Sequence, residues 1–295
     1  MTLNPNHLTS LSKLAIQAAK SAGALISSYK DQHITILKKE SGNSQASQVV
    51  TEVDFKSQEL ILNILQPSID QYDLGILTEE SNNSKNRLTK DFFWCIDPLD
   101  GTLPFTESVP GYAVSIALVK ANGEPQIGVV YDPITQNLYH AIINKGAYKN
   151  EVSWHLPPAD NKKPLQFYFN RSFETLDCFS DVLTELNKTV KGKYANGINS
   201  TPSYGAVMNA CSALETVPSC FFAFPKNTAG GGSTWDYAAT ACIYKEIGAS
   251  VSDMFGNPLQ LNQPHTTFMN EAGILFASNT NLSESIQKMF KLYFY

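Results

Sequence analysis

The sequence has few of the residues that build zinc sites, disulfide scaffolds and histidine-based catalytic centres. Its five cysteines are scattered and form no C-x-x-C pair, so neither a disulfide framework nor a zinc knuckle is expected. Its five histidines lie far apart and form no H-E-x-x-H motif, which argues against zinc or triad chemistry through histidine. This cysteine usage fits a reducing compartment, and we expect a cytoplasmic protein.

Long apolar runs and an excess of positive charge are missing as well. No uninterrupted apolar run approaches ~18 residues, and residues 1–7 lack a basic stretch followed by an apolar core. We therefore expect neither a membrane span nor a secretory signal. The net charge is −5 with both signs interspersed, which argues against binding a nucleic acid polymer. The 295 residues, 43% of them hydrophobic, suffice for two domains or one large layered domain.

The hydrophobic pattern predicts an α/β (α+β) protein with a soft domain boundary near residue 160. In the N-terminal domain, 1–160, helices are predicted at 9–30 and from Thr51 to just before Pro67, and a polar exposed loop at 38–47. A short buried strand is predicted at 74–78. An antiparallel meander follows, with strands at 94–96, 113–119, 127–131 and 138–143. In the C-terminal domain, 161–295, a strand at 165–169 begins an alternation with helices at 174–188, 203–214, 235–248 and 281–291.

The most informative stretch is Asp97-Pro-Leu-Asp100-Gly101-Thr102, which follows a strand-like segment. Pro98 favours an extended or turn conformation at Asp97, and Gly101 permits a tight turn, so the two carboxylates could converge on one point. Such a pair can hold a divalent metal beside a phosphate, with Thr102 offering a hydroxyl and a backbone N–H. The plain alternative is an Asp-Pro turn punctuated by glycine.

Three further segments carry acidic residues where elements begin or end: Thr51-Glu52-Val53-Asp54, Thr78-Glu79-Glu80-Ser81 and Trp235-Asp236. Glu79 follows the predicted 74–78 strand, and strand ends favour ligand sites. Taken alone, Asp54 and Asp236 are also explained as capping carboxylates at helix starts.

Together and in this order, the four segments resemble the signature of the inositol monophosphatase family. The resemblance extends over most of the chain and includes Ser203-Tyr204-Gly205, which opens a helix, and the segment 270–278, which resembles the family's last strand. It implies a layered α/β/α/β/α sandwich similar in fold to fructose-1,6-bisphosphatases, and a Mg²⁺-dependent, lithium-sensitive phosphatase. Members are often dimeric, and the sequence itself identifies no interface for a homodimer.

The resemblance also implies a role for each residue. Glu79, Asp97 and the Leu99 carbonyl would bind a first Mg²⁺, and Asp97, Asp100 and Asp236 a second. A third, weaker ion would lie near Glu79 and Asp54. Catalysis would depend on Asp54, Thr102 and Glu79, the first two orienting the attacking water. Substrate would contact five residues: Gly101, Thr102, Gly205, Ala206 and Asp236.

The chain departs from the family where substrate is chosen. Ala229 stands where inositol-hydrolysing relatives usually carry a glutamate, and Gly230–Gly232 follow it. Lys226 precedes this stretch and could meet a second phosphate, although a solvated loop lysine is the plainer interpretation. The expected reaction is hydrolysis of a small phosphorylated metabolite, an inositol or sugar monophosphate. The alternatives are a 3'(2'),5'-bisphosphate nucleotidase acting on 3'-phosphoadenosine 5'-phosphate, and a catalytically silent binding protein.

Overall fold

The computed structural model describes residues 2–30, 32, 36–38, 49–81, 85–202 and 204–295. Most of the loop predicted at 38–47, and Ser203, lie outside the described residues. Within those ranges the helices are α1 Pro5–Ser28, α2 Glu52–Tyr72, α3 Thr102–Thr106, α4 Arg171–Glu174, α5 Phe179–Val190, α6 Ala206–Glu215, α7 Thr234–Ile247 and α8 Thr280–Tyr293. The strands are β1 Ile36–Lys38, β2 Val49–Thr51, β3 Gly75–Thr78, β4 Phe92–Asp100, β5 Ala113–Lys120, β6 Pro125–Asp132, β7 Asn137–Ile142, β8 Gly146–Lys149, β9 Val152–Trp154, β10 Leu165–Phe169, β11 Ile198–Pro202, β12 Ser219–Ala223, β13 Ser250–Ser252 and β14 Ile274–Ala277.

A seven-stranded sheet runs in the order β3-β4-β5-β6-β7-β8-β9. β3 pairs parallel with β4, and every later pair is antiparallel. The predicted meander is therefore confirmed. β3 adds a further strand beside β4. Because the two strands are parallel, their carboxyl ends lie next to each other at the same end of the sheet.

A five-stranded sheet runs in the order β11-β10-β12-β14-β13. β10 is parallel to both β11 and β12, whereas β14 is antiparallel to β12 and β13. The carboxyl ends of the three parallel strands lie at the same end of the sheet. The segments that follow these strands contain Asn170, Gly205 and Lys226, so polar groups from distant parts of the sequence lie at this end.

The two sheets and three pairs of helices form five layers, and three hydrophobic cores lie between these layers. α1 and α2 pack on one face of the seven-stranded sheet, where Val114, Ile116 and Leu118 of β5 point. Residues 113, 117 and 119 of the same strand point to the other face, against α6 and α7, which the five-stranded sheet covers in turn. α5 and α8 close the far side of that sheet. β5 thus presents apolar side chains on both of its faces, as expected for a sheet buried between helices.

This arrangement is the predicted α/β/α/β/α sandwich. The soft boundary near residue 160 falls between β9 and β10, and the division into two domains stays a prediction. No helix of the described ranges is both long and apolar enough to cross a membrane.

Several predicted helix ends are wrong. α1 begins at Pro5, because the Asn4 side chain accepts hydrogen bonds from the first-turn N–H groups and caps the helix. α2 continues through Pro67 to Tyr72, since that proline lies on the solvent face while Leu65 and Ser68 remain buried. The helix predicted at 174–188 is two helices, α4 and α5, separated by a turn at 175–178.

Candidate functional site

Asp97 and Asp100 lie at the end of β4, within the strand and not in a turn beyond it. The pairing of β4 with β5 shifts register between them, and the Leu99 N–H donates to Asp97 Oδ1 at 3.0 Å. This irregularity brings two carboxylates of one strand to the same place, where strict alternation would separate residues three apart. Asp97 is 1% exposed and Asp100 7%. The plain Asp-Pro turn is therefore not what this segment forms.

Asp236 reaches the same place from the first turn of α7. Ser233 caps that helix, and its N–H donates to Asp236 Oδ2 at 2.7 Å, so the aspartate has the capping role considered for it. It also belongs to a cluster, because one carboxylate oxygen each from Asp97, Asp100 and Asp236 lie within 4.8 Å of one another. Capping and clustering are compatible, since a carboxylate has two oxygens.

The three carboxylates are in an unfavourable electrostatic environment. Burial raises the pKa of Asp97 well above its usual value, and the charges of Glu79, Asp100 and Asp236 raise it further. The pKa of Asp100 is raised by burial and then by Asp236. Glu79 follows β3, where its N–H donates to the Ile96 carbonyl at 3.2 Å. Its charge thus acts on the cluster from the neighbouring strand end.

Asp54 and Thr102 form a buried pair beside this cluster. The Thr102 hydroxyl donates to Asp54 Oδ1 at 3.0 Å and lies 3.3 Å from the Leu99 carbonyl oxygen. The other oxygen, Oδ2, accepts from the Thr51 N–H at 2.8 Å and the Thr51 hydroxyl at 2.6 Å. Burial, with a contribution from Glu79, raises the pKa of Asp54 to about 6 although these hydrogen bonds lower it. Asp54 therefore closes the capping box of α2 and also fixes Thr102.

The start of α6 is fastened to Asp100. The N–H groups of Ala206 and Val207 donate to its two oxygens at 3.2 and 2.9 Å. Gly205 approaches so closely that a Cβ built on it would lie 2.2 Å from Asp100 Oδ2. Glycine is required here by contact and not by backbone conformation. The substrate contacts expected of Gly205 and Ala206 stay a prediction, and in the structure the Ala206 N–H is already paired.

Gly101 turns the chain from β4 into α3. Its φ is +83°, and a Cβ would lie 2.7 Å from the Gly111 carbonyl oxygen, so both conformation and space favour glycine. The Gly205 N–H donates to that same oxygen at 2.7 Å. The Gly111 carbonyl thus links the turn at Gly101 to the start of α6. Sequence reasoning missed Gly111 because no nearby motif distinguishes it from an ordinary loop glycine.

Ser57 was missed too, although a signal existed. Its hydroxyl donates to the Pro98 carbonyl at 2.8 Å from the buried face of α2. Ser57 lies three residues after Asp54, which places both side chains on one side of the helix. The helix therefore supports the 97–100 segment at two points, one through Ser57 and one through Asp54 and Thr102.

A set of carboxylate oxygens with a backbone carbonyl close by suits a hard divalent cation such as Mg²⁺. Asp97, Asp100 and Asp236 could supply three such oxygens, and a cation there would offset the repulsion that helps to raise the pKa values of Asp97 and Asp100. Within the described part of the chain, no histidine nitrogen or cysteine sulfur belongs to the cluster. The residues present therefore fit the expected ion, while the exact ligand set and the catalytic roles stay predictions.

Comparison with known proteins places these features in a family. The sequence profile of the inositol monophosphatase family matches residues 7–291. An inositol-1-monophosphatase of Bacillus subtilis is 28% identical over 279 residues, 90% of this chain and 94% of that protein. A protein named Nus factor SuhB, from Pasteurella multocida, is 29% identical over 259 residues, 85% of this chain and 88% of that protein.

Solved structures show the same fold. An inositol monophosphatase from Anabaena superposes with a TM-score of 0.69 at 24% identity, covering 95% of this chain and 96% of its own. The profile match over nearly the whole length, together with the agreement in fold, identifies the family. The chain belongs to the inositol monophosphatase family.

Proposed function

We propose that the protein is a Mg²⁺-dependent phosphomonoesterase that hydrolyses a small phosphorylated metabolite, an inositol or sugar monophosphate, with water as the nucleophile. One observation carries the proposal: a cluster of three carboxylates, of which Asp97 and Asp100 are buried and Asp236 is half-buried, adjoins a buried hydroxyl–carboxylate pair. Family membership supports a metal-dependent phosphatase. The Bacillus subtilis relative is named for inositol 1-phosphate hydrolysis, and 28% identity supports that substrate only as a candidate.

In this proposal the carboxylates have a holding role. Asp97, Asp100 and Asp236 bind the cations with Glu79 and the Leu99 carbonyl. When bound, Mg²⁺ supplies Lewis acidity, which activates water and stabilises charge on the phosphate and the leaving oxygen. The hydrogen bonds from the starts of α6 and α7 fix the orientation of Asp100 and Asp236, so little reorganisation is needed on binding.

Thr102 and Asp54 are the residues that orient the attacking water in this proposal. Thr102 has a single proton and donates it to Asp54, which leaves the lone pairs of its hydroxyl free to accept a hydrogen bond from water. Asp54 is fixed by Thr51, and the elevated pKa of about 6 makes it a better proton acceptor than an exposed aspartate. The N–H groups of Gly101 and Thr102 are proposed to hold the phosphate.

A phosphate-release panel tests the proposal. It includes inositol 1-phosphate, glucose 1-phosphate and 3'-phosphoadenosine 5'-phosphate, each with saturating Mg²⁺ and with EDTA. We expect Mg²⁺-dependent release that Li⁺ inhibits and that Asp100→Asn lowers by at least about a hundredfold. The control is Asp70→Asn, a change to an aspartate on the exposed side of α2. Release that persists in EDTA, or no release from either inositol 1-phosphate or glucose 1-phosphate, contradicts the proposal.

A further inference from the structure

Gln58 joins α2 to the segment that carries Glu79. Its side-chain oxygen Oε1 accepts a hydrogen bond from the Glu80 N–H at 3.0 Å, and its Nε2 donates to the Ser81 hydroxyl at 2.8 Å. Gln58 lies in the second turn of α2 and is 7% exposed. Both polar atoms of this buried side chain therefore contact the two residues that directly follow Glu79.

Glu79 lies where its charge acts on the carboxylate cluster. Its N–H donates to the Ile96 carbonyl of β4, the residue directly before Asp97, at 3.2 Å. Behind burial, the negative charge of Glu79 is among the causes that raise the pKa values of Asp97 and Asp100. The backbone of Glu79 is therefore held by β4 on one side, and the residues after it are held by α2 on the other.

Gln58 belongs to a row of polar side chains on the buried face of α2. Asp54 accepts from the Thr102 hydroxyl at 3.0 Å, and Ser57 donates to the Pro98 carbonyl at 2.8 Å. Residues three and four apart lie on the same side of a helix, so positions 57 and 58 both lie near position 54. One helix thus contacts three separate segments of the site, and Gln58 is the side chain that reaches the segment after β3.

From these contacts we propose that Gln58 is a positioning residue that holds the Glu79 carboxylate in place for cation binding. It acts through the Glu80 N–H and the Ser81 hydroxyl. The inference rests on the proposed function, in which Glu79 is a metal ligand, and it deepens the account of that site. Loss of a side chain that orients a metal ligand typically weakens metal binding by about ten- to a hundredfold. Without Gln58, the contact at Ile96 remains, but the direction of the chain beyond Glu79 is no longer fixed.

Mn²⁺ binding to the metal-free protein tests the inference without substrate, through the loss of the free-ion electron paramagnetic resonance signal. Gln58→Met keeps the length of the side chain and removes both hydrogen bonds. We expect this variant to bind Mn²⁺ about tenfold more weakly than wild type. The Mg²⁺ concentration that half-activates phosphate release should rise by a similar factor. KM for the phosphomonoester, measured at saturating Mg²⁺, should stay close to the wild-type value.

Two milder variants test the same contacts if Gln58→Met fails to fold. Ser81→Ala removes only the contact with Nε2, and we expect it to weaken Mn²⁺ binding by a smaller factor than Gln58→Met. Gln58→Glu keeps an acceptor for the Glu80 N–H, and its Mn²⁺ affinity should be close to that of wild type. Wild-type affinity in Ser81→Ala together with weak binding in Gln58→Glu would contradict the inference.

Thr78→Val is the matched control, because Thr78 lies directly before Glu79 as Glu80 lies directly after it. Thr78 is 3% exposed, and within the described ranges its hydroxyl has no hydrogen-bond partner. Valine has nearly the same shape, so we expect wild-type Mn²⁺ affinity.

Two results overturn the inference. One is wild-type Mn²⁺ affinity in Gln58→Met, even where this variant has a lower free energy of unfolding in EDTA, because the residue would then have only a structural role. The other is an equal loss of affinity in Thr78→Val. Failure of the proposed function looks different: the wild type itself shows no Mg²⁺-dependent phosphate release.

Discussion

Asp97→Asn should stabilise the metal-free protein while it abolishes turnover. Asp97 is 1% exposed, and its oxygen lies within 4.8 Å of oxygens from two other aspartates. At an effective dielectric constant near 20, two unit charges 4.8 Å apart repel by about 3.5 kcal/mol. Partial protonation of the clustered carboxylates in the wild type already relieves part of this repulsion. We therefore expect Asp97→Asn to raise the free energy of unfolding by about 1–3 kcal/mol. The amide retains the oxygen that accepts from Leu99.

The assay is urea unfolding in EDTA and again in saturating Mg²⁺, with Asp253→Asn as the control. Asp253 is also buried, but its oxygens accept three N–H bonds at 2.8, 2.8 and 3.1 Å, and it lies in no carboxylate cluster among the described residues. We expect Asp253→Asn to lower the midpoint in both conditions. Asp97→Asn should raise it in EDTA, and Mg²⁺ should stabilise wild type more than this variant.

The pH dependence follows from the direction of the pKa shift. In the metal-free folded state the pKa of Asp97 lies above the ordinary value of 3.8, so the folded state binds more protons than the unfolded state between the two values. Stability in EDTA therefore falls as pH rises from about 4 through the folded-state pKa, and the advantage of Asp97→Asn grows from about pH 5 to about pH 8. A variant that is less stable than wild type in EDTA at both pH values would show that charge repulsion does not dominate at this site.

Three further substitutions test other contacts. Gly205→Ala should lower kcat about a hundredfold and weaken activation in a Mg²⁺ titration, because the new Cβ displaces Asp100. Tyr237→Phe should lower the free energy of unfolding in urea by about 1 kcal/mol, since the hydroxyl bonded to Gly231 is lost. Burial lowers the pKa of His140, so wild type loses stability as pH falls through about 6.5, and His140→Phe should reduce the drop in thermal midpoint between about pH 7.5 and 5.5. Each prediction has its own contradicting result: an undiminished kcat for Gly205→Ala, an unchanged urea midpoint for Tyr237→Phe, and for His140→Phe a drop in thermal midpoint equal to that of the wild type.

Local sequence patterns predicted the elements that carry the cluster. Pro98 and Gly101 indicated that Asp97 and Asp100 could converge, which the structure confirms, although a register shift within β4 and not a turn brings them together. The position of Asp236 in a first helical turn was also predictable from the cap before it. In these cases the interactions that fix a residue lie within a few positions of it, so they can be seen in the sequence.

Contacts between distant segments could not be predicted in this way. Asp100 accepts from residues 106 and 107 positions away, and nothing near Ala206 indicates that partner. α2 continues through Pro67 because packing of its buried face outweighs the lost backbone hydrogen bond, and that packing depends on the sheet beneath it. Such features depend on tertiary contacts, for which a single sequence offers no periodic signal.

A crystal structure of the protein grown with Mn²⁺, a substitute for Mg²⁺ with measurable anomalous scattering, would show directly whether the carboxylate cluster is the metal centre. We predict at least one anomalous peak coordinated by oxygens of Asp97, Asp100 and Asp236, and its loss in crystals of Asp97→Asn. Crystals that show no peak among these three side chains, from protein that still releases phosphate in Mn²⁺, would contradict the assignment of the metal centre to this cluster.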